Sequence, residues 1–207
     1  VGIAVDKEGN VYVADAERAS IIKLDDDLDA DKEFAGLCVR PTGITVRGDT
    51  LYIVDTGGHK VVRTDLEGRK TGEFGSHGFA AGEFNYPVSV AARDSVFVID
   101  ALNYRVQEFD ADGRPLRIIG SQGNVAGRFA SPKSVALDSD GDLYVTDALM
   151  DNLQIFSPKG DLLLVVGRKG TRNGEFQSPG GIAIDAKDRI YVVETLNKRI
   201  QIFQYHR

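Results

Sequence analysis

The chain has 207 residues, 42% of them hydrophobic and 27% charged, which is enough apolar material for one domain with a substantial core. Its formal net charge of -6 argues against a uniformly basic nucleic-acid surface, and the single cysteine, Cys38, excludes an internal disulfide framework or a multi-cysteine zinc or iron–sulfur site. No apolar run approaches the roughly 18 residues of a membrane span, no signal-like segment opens the chain, and residue 1 is Val, as expected of a mature or trimmed form of a longer product.

The first predicted strand is Gly2-Ile3-Ala4-Val5. It is followed by the pentad VYVAD (Val11 to Asp15), a third strand opening at Ile21 and a fourth ending at Gly36. The same order then recurs. First strands are predicted at Gly43-Ile44-Thr45-Val46, Ser89-Val90-Ala91-Ala92, Ser134-Val135-Ala136-Leu137 and Gly181-Ile182-Ala183-Ile184. Large residues on one parity and small ones on the other let neighbouring sheets interdigitate, so both faces are expected to be buried. The later pentads are LYIVD, VFVID, LYVTD and IYVVE, and their terminal acids, with Asp15, are Asp55, Asp100, Asp147 and Glu194. These acids lie 40, 45, 47 and 47 residues apart, and six residues past each comes Ile21, Val61, Val106, Leu153 or Ile200. A period of roughly 40 to 50 residues built only of short strands predicts an all-β propeller of four-stranded antiparallel blades. Five blades are visible, at about 1–40, 41–86, 87–131, 132–178 and 179–207 of a single domain, the last without its outer strand.

From Gly75, Gly120 and Gly167 the chain repeats a connector G-x-x-G-x-x-x-G-x-F-x-x-P, whose aromatic members are Phe84, Phe129 and Phe176. No strand-loop-helix unit and no Gly-Lys-Ser/Thr accompanies it, so it reads as a blade crossover with a Phe plug rather than a phosphate loop. The five repeated acids invite a calcium hypothesis. An acid present in every blade is better read as capping the turn to the third strand, through backbone N–H groups or an arginine such as Arg105 or Arg199. The run from Asp25 to Asp31 has the alternating acids of a calcium loop, but Ala30 stands where an EF-hand needs Gly and Gly36 where it needs Glu. No cofactor or metal is therefore expected, with calcium left open. Positions expected at the channel mouth, Thr42, Val88, Lys133 and Gly180, include no carboxylate or histidine, and His59, His77 and His206 cannot supply ligands from many blades. Cys38, with no recurrent histidine beside it, reads as a packed thiol.

Several motifs resemble the NHL repeat family of propellers: the Pro-x-Gly-Ile-Ala-Val-Asp type of entry, Tyr-Val-x-Asp in the second strand, and Asn103-Tyr104-Arg105-Val106 and Asn197-Lys198-Arg199-Ile200 before the third. The resemblance covers essentially the whole chain. It implies a ring of six blades, with one blade and a closing strand missing on the N-terminal side; a five-bladed ring with an open last blade, or a strand supplied by a partner, are the alternatives. It also implies exported bacterial relatives, and so a periplasmic or extracellular location.

Sorting loops by the end of the blade they occupy predicts a disc with acids on its hairpin face and cations on its crossover face. Candidate binding residues on the crossover face are His59, Lys60, His77, Tyr104, Arg105, Lys133, Met150, Asn152, Arg168, Lys169, Arg172, Lys198 and Arg199. Varied loops on a uniform scaffold are the usual place for a binding surface. The leading expectation is a noncatalytic propeller that docks another protein with an acidic surface, with no catalytic residue. A metal-dependent hydrolase or lyase with a central-channel site is the alternative, and RNA binding through the basic face comes third, since Tyr104 is nearly the only aromatic platform there.

Overall fold

A computed structural model describes residues 2–204, and every regular element in it except one 3-10 turn is a strand. The first sheet is the antiparallel meander β1 (Gly2–Val5), β2 (Val11–Asp15), β3 (Ser20–Leu24) and β4 (Ala30–Ala35). The second contains β5 (Pro41–Arg47), β6 (Thr50–Asp55), β7 (Lys60–Asp65) and β8 (Lys70–Phe74), and the third β9 (Pro87–Ala92), β10 (Val96–Asp100), β11 (Arg105–Phe109) and β12 (Pro115–Ile119). The fourth contains β13 (Pro132–Leu137), β14 (Leu143–Asp147), β15 (Asn152–Phe156) and β16 (Leu162–Val166). The fifth contains, among the described residues, the three strands β17 (Pro179–Ile184), β18 (Arg189–Glu194) and β19 (Arg199–Gln204). The chain divides into two compact units, 2–100 with 107–117 and 101–106 with 118–204.

Strand alternation explains how the sheets stack. In the first unit Ala4, Tyr12, Ala14, Ile21 and Phe34 share one face of the first sheet and pack with Ile44, Leu51, Ile53 and Val62 of the second. The opposite face of the second sheet, with Tyr52, Val54, Val61 and Phe74, packs in turn with Val90, Val96, Val98 and Phe109. In the second unit Tyr144, Leu153 and Ile155 meet Ile182, Ile190 and Val192. The connector phenylalanines complete these layers: Phe84 lies 5.5 Å from the Phe109 ring, Phe129 5.8 Å from Phe156 and Phe176 5.8 Å from Phe203. All three are fully buried, a contribution of about 1.5–3 kcal/mol each.

The hairpins follow from their first residue. Asp25, Asp65, Asp110, Asp138 and Asp185 each accept the N–H groups two and four residues on, which closes the turn. The run from Asp25 to Asp31 is thus a closed hairpin in which Asp25 caps the backbone. The pentad tyrosine locks the turn before it where that turn begins with Asp: Tyr12, Tyr144 and Tyr191 donate to Asp6, Asp138 and Asp185 at 3.1, 3.0 and 3.1 Å. Gly113 must be glycine, because its φ is 87° and a Cβ would strike the Phe74 ring.

Candidate functional site

The repeated acids stand at the end of the second strand, where backbone donors converge. Asp55 accepts from the N–H groups of Val39, Arg40 and Gly58 at 3.0, 2.9 and 3.0 Å. Asp147 accepts from Ala130, Ser131, Leu149 and Met150, and Asp100 from Asn85 N–H at 2.7 Å. Asp15, on the first sheet, is half-buried and caps Glu17 and Arg18. Glu194 is buried and accepts from Gln177 N–H, the Asn197 amide, the Gln201 amide and Arg199 Nε. Burial alone pushes the Glu194 carboxyl up, but the hydrogen bonds from Arg199, Asn197, Gln177 and Gln201 together hold it below its ordinary value. Among the described residues no group of three His, Cys, Asp or Glu side chains is placed to hold a metal ion.

A second repeated clamp escaped the sequence reading. Gln107, Gln154 and Gln201 each accept from the third connector glycine, Gly82, Gly127 or Gly174, at 2.9, 2.8 and 2.9 Å. Each also donates to the carbonyl of the next residue, Glu83, Arg128 or Glu175, at 2.7, 2.7 and 2.8 Å. The signal is a glutamine seven residues past the acid, in the three blades entered by a Gly-x-Phe connector; the equivalent positions in the first two blades are Ile22 and Val62.

On this rigid frame one connector differs. In the second unit residues 167–176 carry Arg168, Lys169 and Arg172 against one carboxylate, Glu175, whereas the matching segments 75–84 and 120–129 carry only His77 and Arg128 as basic residues. The backbone bonds are shared: Gly170 N–H donates to Phe176 O at 2.9 Å and Phe176 N–H to Arg168 O at 2.8 Å, as at the other two connectors. Glu175 pairs with Arg168 at 3.1 Å and caps Arg172 N–H, which together hold its carboxyl below the ordinary value, the backbone bond first. A cleft of about 330 Å³ is lined by Gly167, Arg168, Arg172, Asn173, Gly174 and Glu175. Lys169, Arg172 and Lys198 are exposed.

The candidate cations separate into two kinds. Arg199 is an anchor: besides Glu194 at 2.6 Å, its guanidinium donates to the carbonyls of Thr171, Arg172 and Glu175 at 2.7, 2.8 and 2.8 Å. It therefore fixes the basic connector from below. Arg105 and Asn152 are buried, and Lys60 pairs with Glu73 at 2.7 Å, a hydrogen bond that raises its ammonium above the ordinary value. Met150 is half-buried and Lys133 exposed. In the first unit His59 and His77 stack edge to face at 4.5 Å, and His59 Nδ1 accepts from Tyr86 N–H at 3.2 Å. Tyr104 is half-buried with a φ of 55°. His206 lies outside the described residues. Cys38 is buried, and burial first, then Asp55, pushes its thiol up to about 12.

A model of the 6-bladed beta-propeller family DUF5128 matches residues 137–206. None of the curated proteins matches the sequence. In structure the chain is similar to virginiamycin B lyase from Staphylococcus aureus, with 18% identity and a TM-score of 0.68 over 98% of this chain and 69% of that one. It is also similar to a chain of the nidogen/laminin complex, with 15% identity and a TM-score of 0.73 over 100% and 80% of the two chains. A Bacteroides caccae protein of unknown function aligns at 12% identity and a TM-score of 0.67, over 93% and 69%. The fold is a β-propeller. Five blades are visible, against six in the matching family description. Identities this low establish the fold and leave function to the site. No helix of the described residues is long and apolar enough to cross a membrane.

Proposed function

We propose that this chain is a noncatalytic NHL-type propeller that binds another protein through the connector 167–176 and Lys198, and that the partner presents an acidic surface. The observation that carries the reading is the departure from the repeat at this connector. Its backbone is clamped by Gln201 and Arg199 like a structural element, yet it holds Arg168 and Arg172 at a cleft and leaves Lys169 exposed beside them. Fixed, underneutralised cations raise association rates with acidic partners and select against basic ones. One structural neighbour is part of a nidogen/laminin complex, so a propeller of this shape is compatible with docking a protein. An exported location goes with the NHL resemblance.

The test is the triple reversal Arg168→Glu, Lys169→Glu and Arg172→Glu, with affinity measured against the protein that co-purifies from the source. Exposed charges are individually worth about 0.2–1 kcal/mol, so the triple change should weaken binding about tenfold or more, less so at high salt. Unchanged affinity would remove this reading. A lyase or hydrolase remains the second reading, supported by the likeness to virginiamycin B lyase at the level of fold.

A further inference from the structure

The residue just before each blade's entry proline has two settings in this fold. At Arg40 and Ser131 its N–H donates to the acid of its own blade, Asp55 at 2.9 Å and Asp147 at 3.0 Å, and φ is negative. At Tyr86 and Ser178 the backbone is left-handed, with φ of 60° and 52°. The N–H there donates backwards to a turn of the preceding blade, to His59 Nδ1 at 3.2 Å or Asp151 Oδ1 at 2.8 Å. The acid of its own blade keeps the N–H of the residue before, Asn85 on Asp100 at 2.7 Å and Gln177 on Glu194 at 2.9 Å.

One position decides between the settings. It stands four residues past the acid of the preceding blade, is itself left-handed, and is Ala19 ahead of Arg40, His59 ahead of Tyr86, Tyr104 ahead of Ser131 and Asp151 ahead of Ser178. Alanine has no acceptor, and tyrosine carries its oxygen at the far end of the ring. In those two blades the N–H turns to its own acid. Where histidine or aspartate supplies an acceptor, the N–H is drawn onto it and the backbone is held in a conformation that residues other than glycine adopt only under such a constraint. The two acceptors differ in one respect. A carboxylate accepts throughout the neutral range, whereas an imidazole accepts only while neutral, and both its nitrogens become donors on protonation.

We propose that His59 is a pH-operated latch on the end of the connector between the second and third blades. Neutral His59 holds Tyr86 left-handed. Protonated His59 presents a donor to the Tyr86 N–H, and Tyr86 passes to the setting of Arg40 and Ser131, with its N–H on Asp100 beside that of Asn85. Because the second sheet is packed on one face by the first and on the other by the third, the latch does not depend on where the chain ends. The charged and titratable groups around His59 come from three segments. On its own turn are Asp55, which caps Gly58 N–H at 3.0 Å, and Lys60, paired with Glu73 of β8 at 2.7 Å. On the connector His77 lies 4.5 Å away ring to ring, and a proton on it would add a like charge that favours release. From the preceding crossover Arg40 Nη1 donates to Tyr86 Oη at 3.2 Å. The change of backbone swings the exposed Tyr86 ring off Arg40, so this part of the crossover face differs between neutral and mildly acidic solution.

The test is NMR on the whole chain between about pH 8 and about pH 5, following the imidazole of His59 and the amide, Cα and Cβ signals of Tyr86 and Ser178, which separate left-handed from negative-φ backbone. The Tyr86 signals should move from left-handed to negative-φ values in step with the His59 imidazole, while those of Ser178 stay in place. His59→Asp should keep Tyr86 left-handed across the range, and His59→Ala should put it in the negative-φ setting even at the upper end. Both substitutions copy residues that hold this turn position in other blades, Asp151 and Ala19, so the fold should tolerate them. Asp151→His should transfer the pH dependence to Ser178, and His77→Asn should leave the Tyr86 transition in place. Tyr86 signals that stay left-handed while His59 titrates, or in His59→Ala, overturn the proposal. A transition that disappears in His77→Asn assigns the titrating group to His77 and overturns it as well.

Discussion

Replacing Arg199 with alanine separates an anchoring cation from the binding cations beside it. The guanidinium makes one ion pair, to Glu194 at 2.6 Å, and three hydrogen bonds to carbonyls of the connector. Stripping one partner from a buried pair costs about 3–5 kcal/mol, because the remaining charge stays buried. Glu194 keeps its bonds from Gln177, Asn197 and Gln201, and the carbonyls of Thr171 and Arg172 belong to exposed residues that water can reach. The expected loss is therefore smaller, about 2–3 kcal/mol. With a urea slope of about 2–3 kcal/mol per molar, the midpoint should fall by about 1 M. Lys198→Ala, one residue away, should stay within about 0.5 kcal/mol. The pH dependence supplies a second readout. Glu194 titrates lower in the folded protein than its ordinary value of 4.5, so its contribution is complete above that value and disappears as the pH falls through the lower folded value. Arg199→Ala should flatten that part of the acid limb. A loss below about 1 kcal/mol with an unchanged acid limb would refute the assignment of Arg199 as the anchor.

The other predictions concern the scaffold. Gln154→Leu keeps the volume but leaves Gly127 N–H and Arg128 C=O unpaired beside a fully buried side chain, and urea denaturation should show a loss of about 2–4 kcal/mol. Phe129→Ala should cost about 3–5 kcal/mol by the same assay, while Phe79→Ala, at a largely exposed position, should cost little. The native Cys38 thiol, raised to about 12, should react with a disulfide reagent far more slowly at neutral pH than it does in urea. Equal rates in the two states would contradict its burial.

The strands were legible because each blade writes its period twice, in alternation within the pentad and in the fixed offset from acid to third strand. Asp55 and Asp147 could be read as turn caps because an acid repeated at one place in every blade answers a backbone need. The glutamine clamps were not read, since a polar residue inside a strand looks like a solvent position until the connector folds over it. Lys198 and Arg199 looked alike in sequence and differ in fact. Lys198 adopts a φ of 51° in the turn and faces solvent, whereas Arg199 opens β19 beneath the connector. His59 and His77 are 18 residues apart and meet only because the connector doubles back on the turn between β6 and β7. Pairings of this kind depend on tertiary approach, which no local spacing encodes.

The most direct test of the account is a native mass spectrum of the protein purified from its source, taken for the wild type and for the triple reversal at Arg168, Lys169 and Arg172. The account predicts a stoichiometric protein partner on the wild type that is absent from the variant. A wild-type chain that travels without a protein partner, or a partner retained equally by the variant, would contradict it.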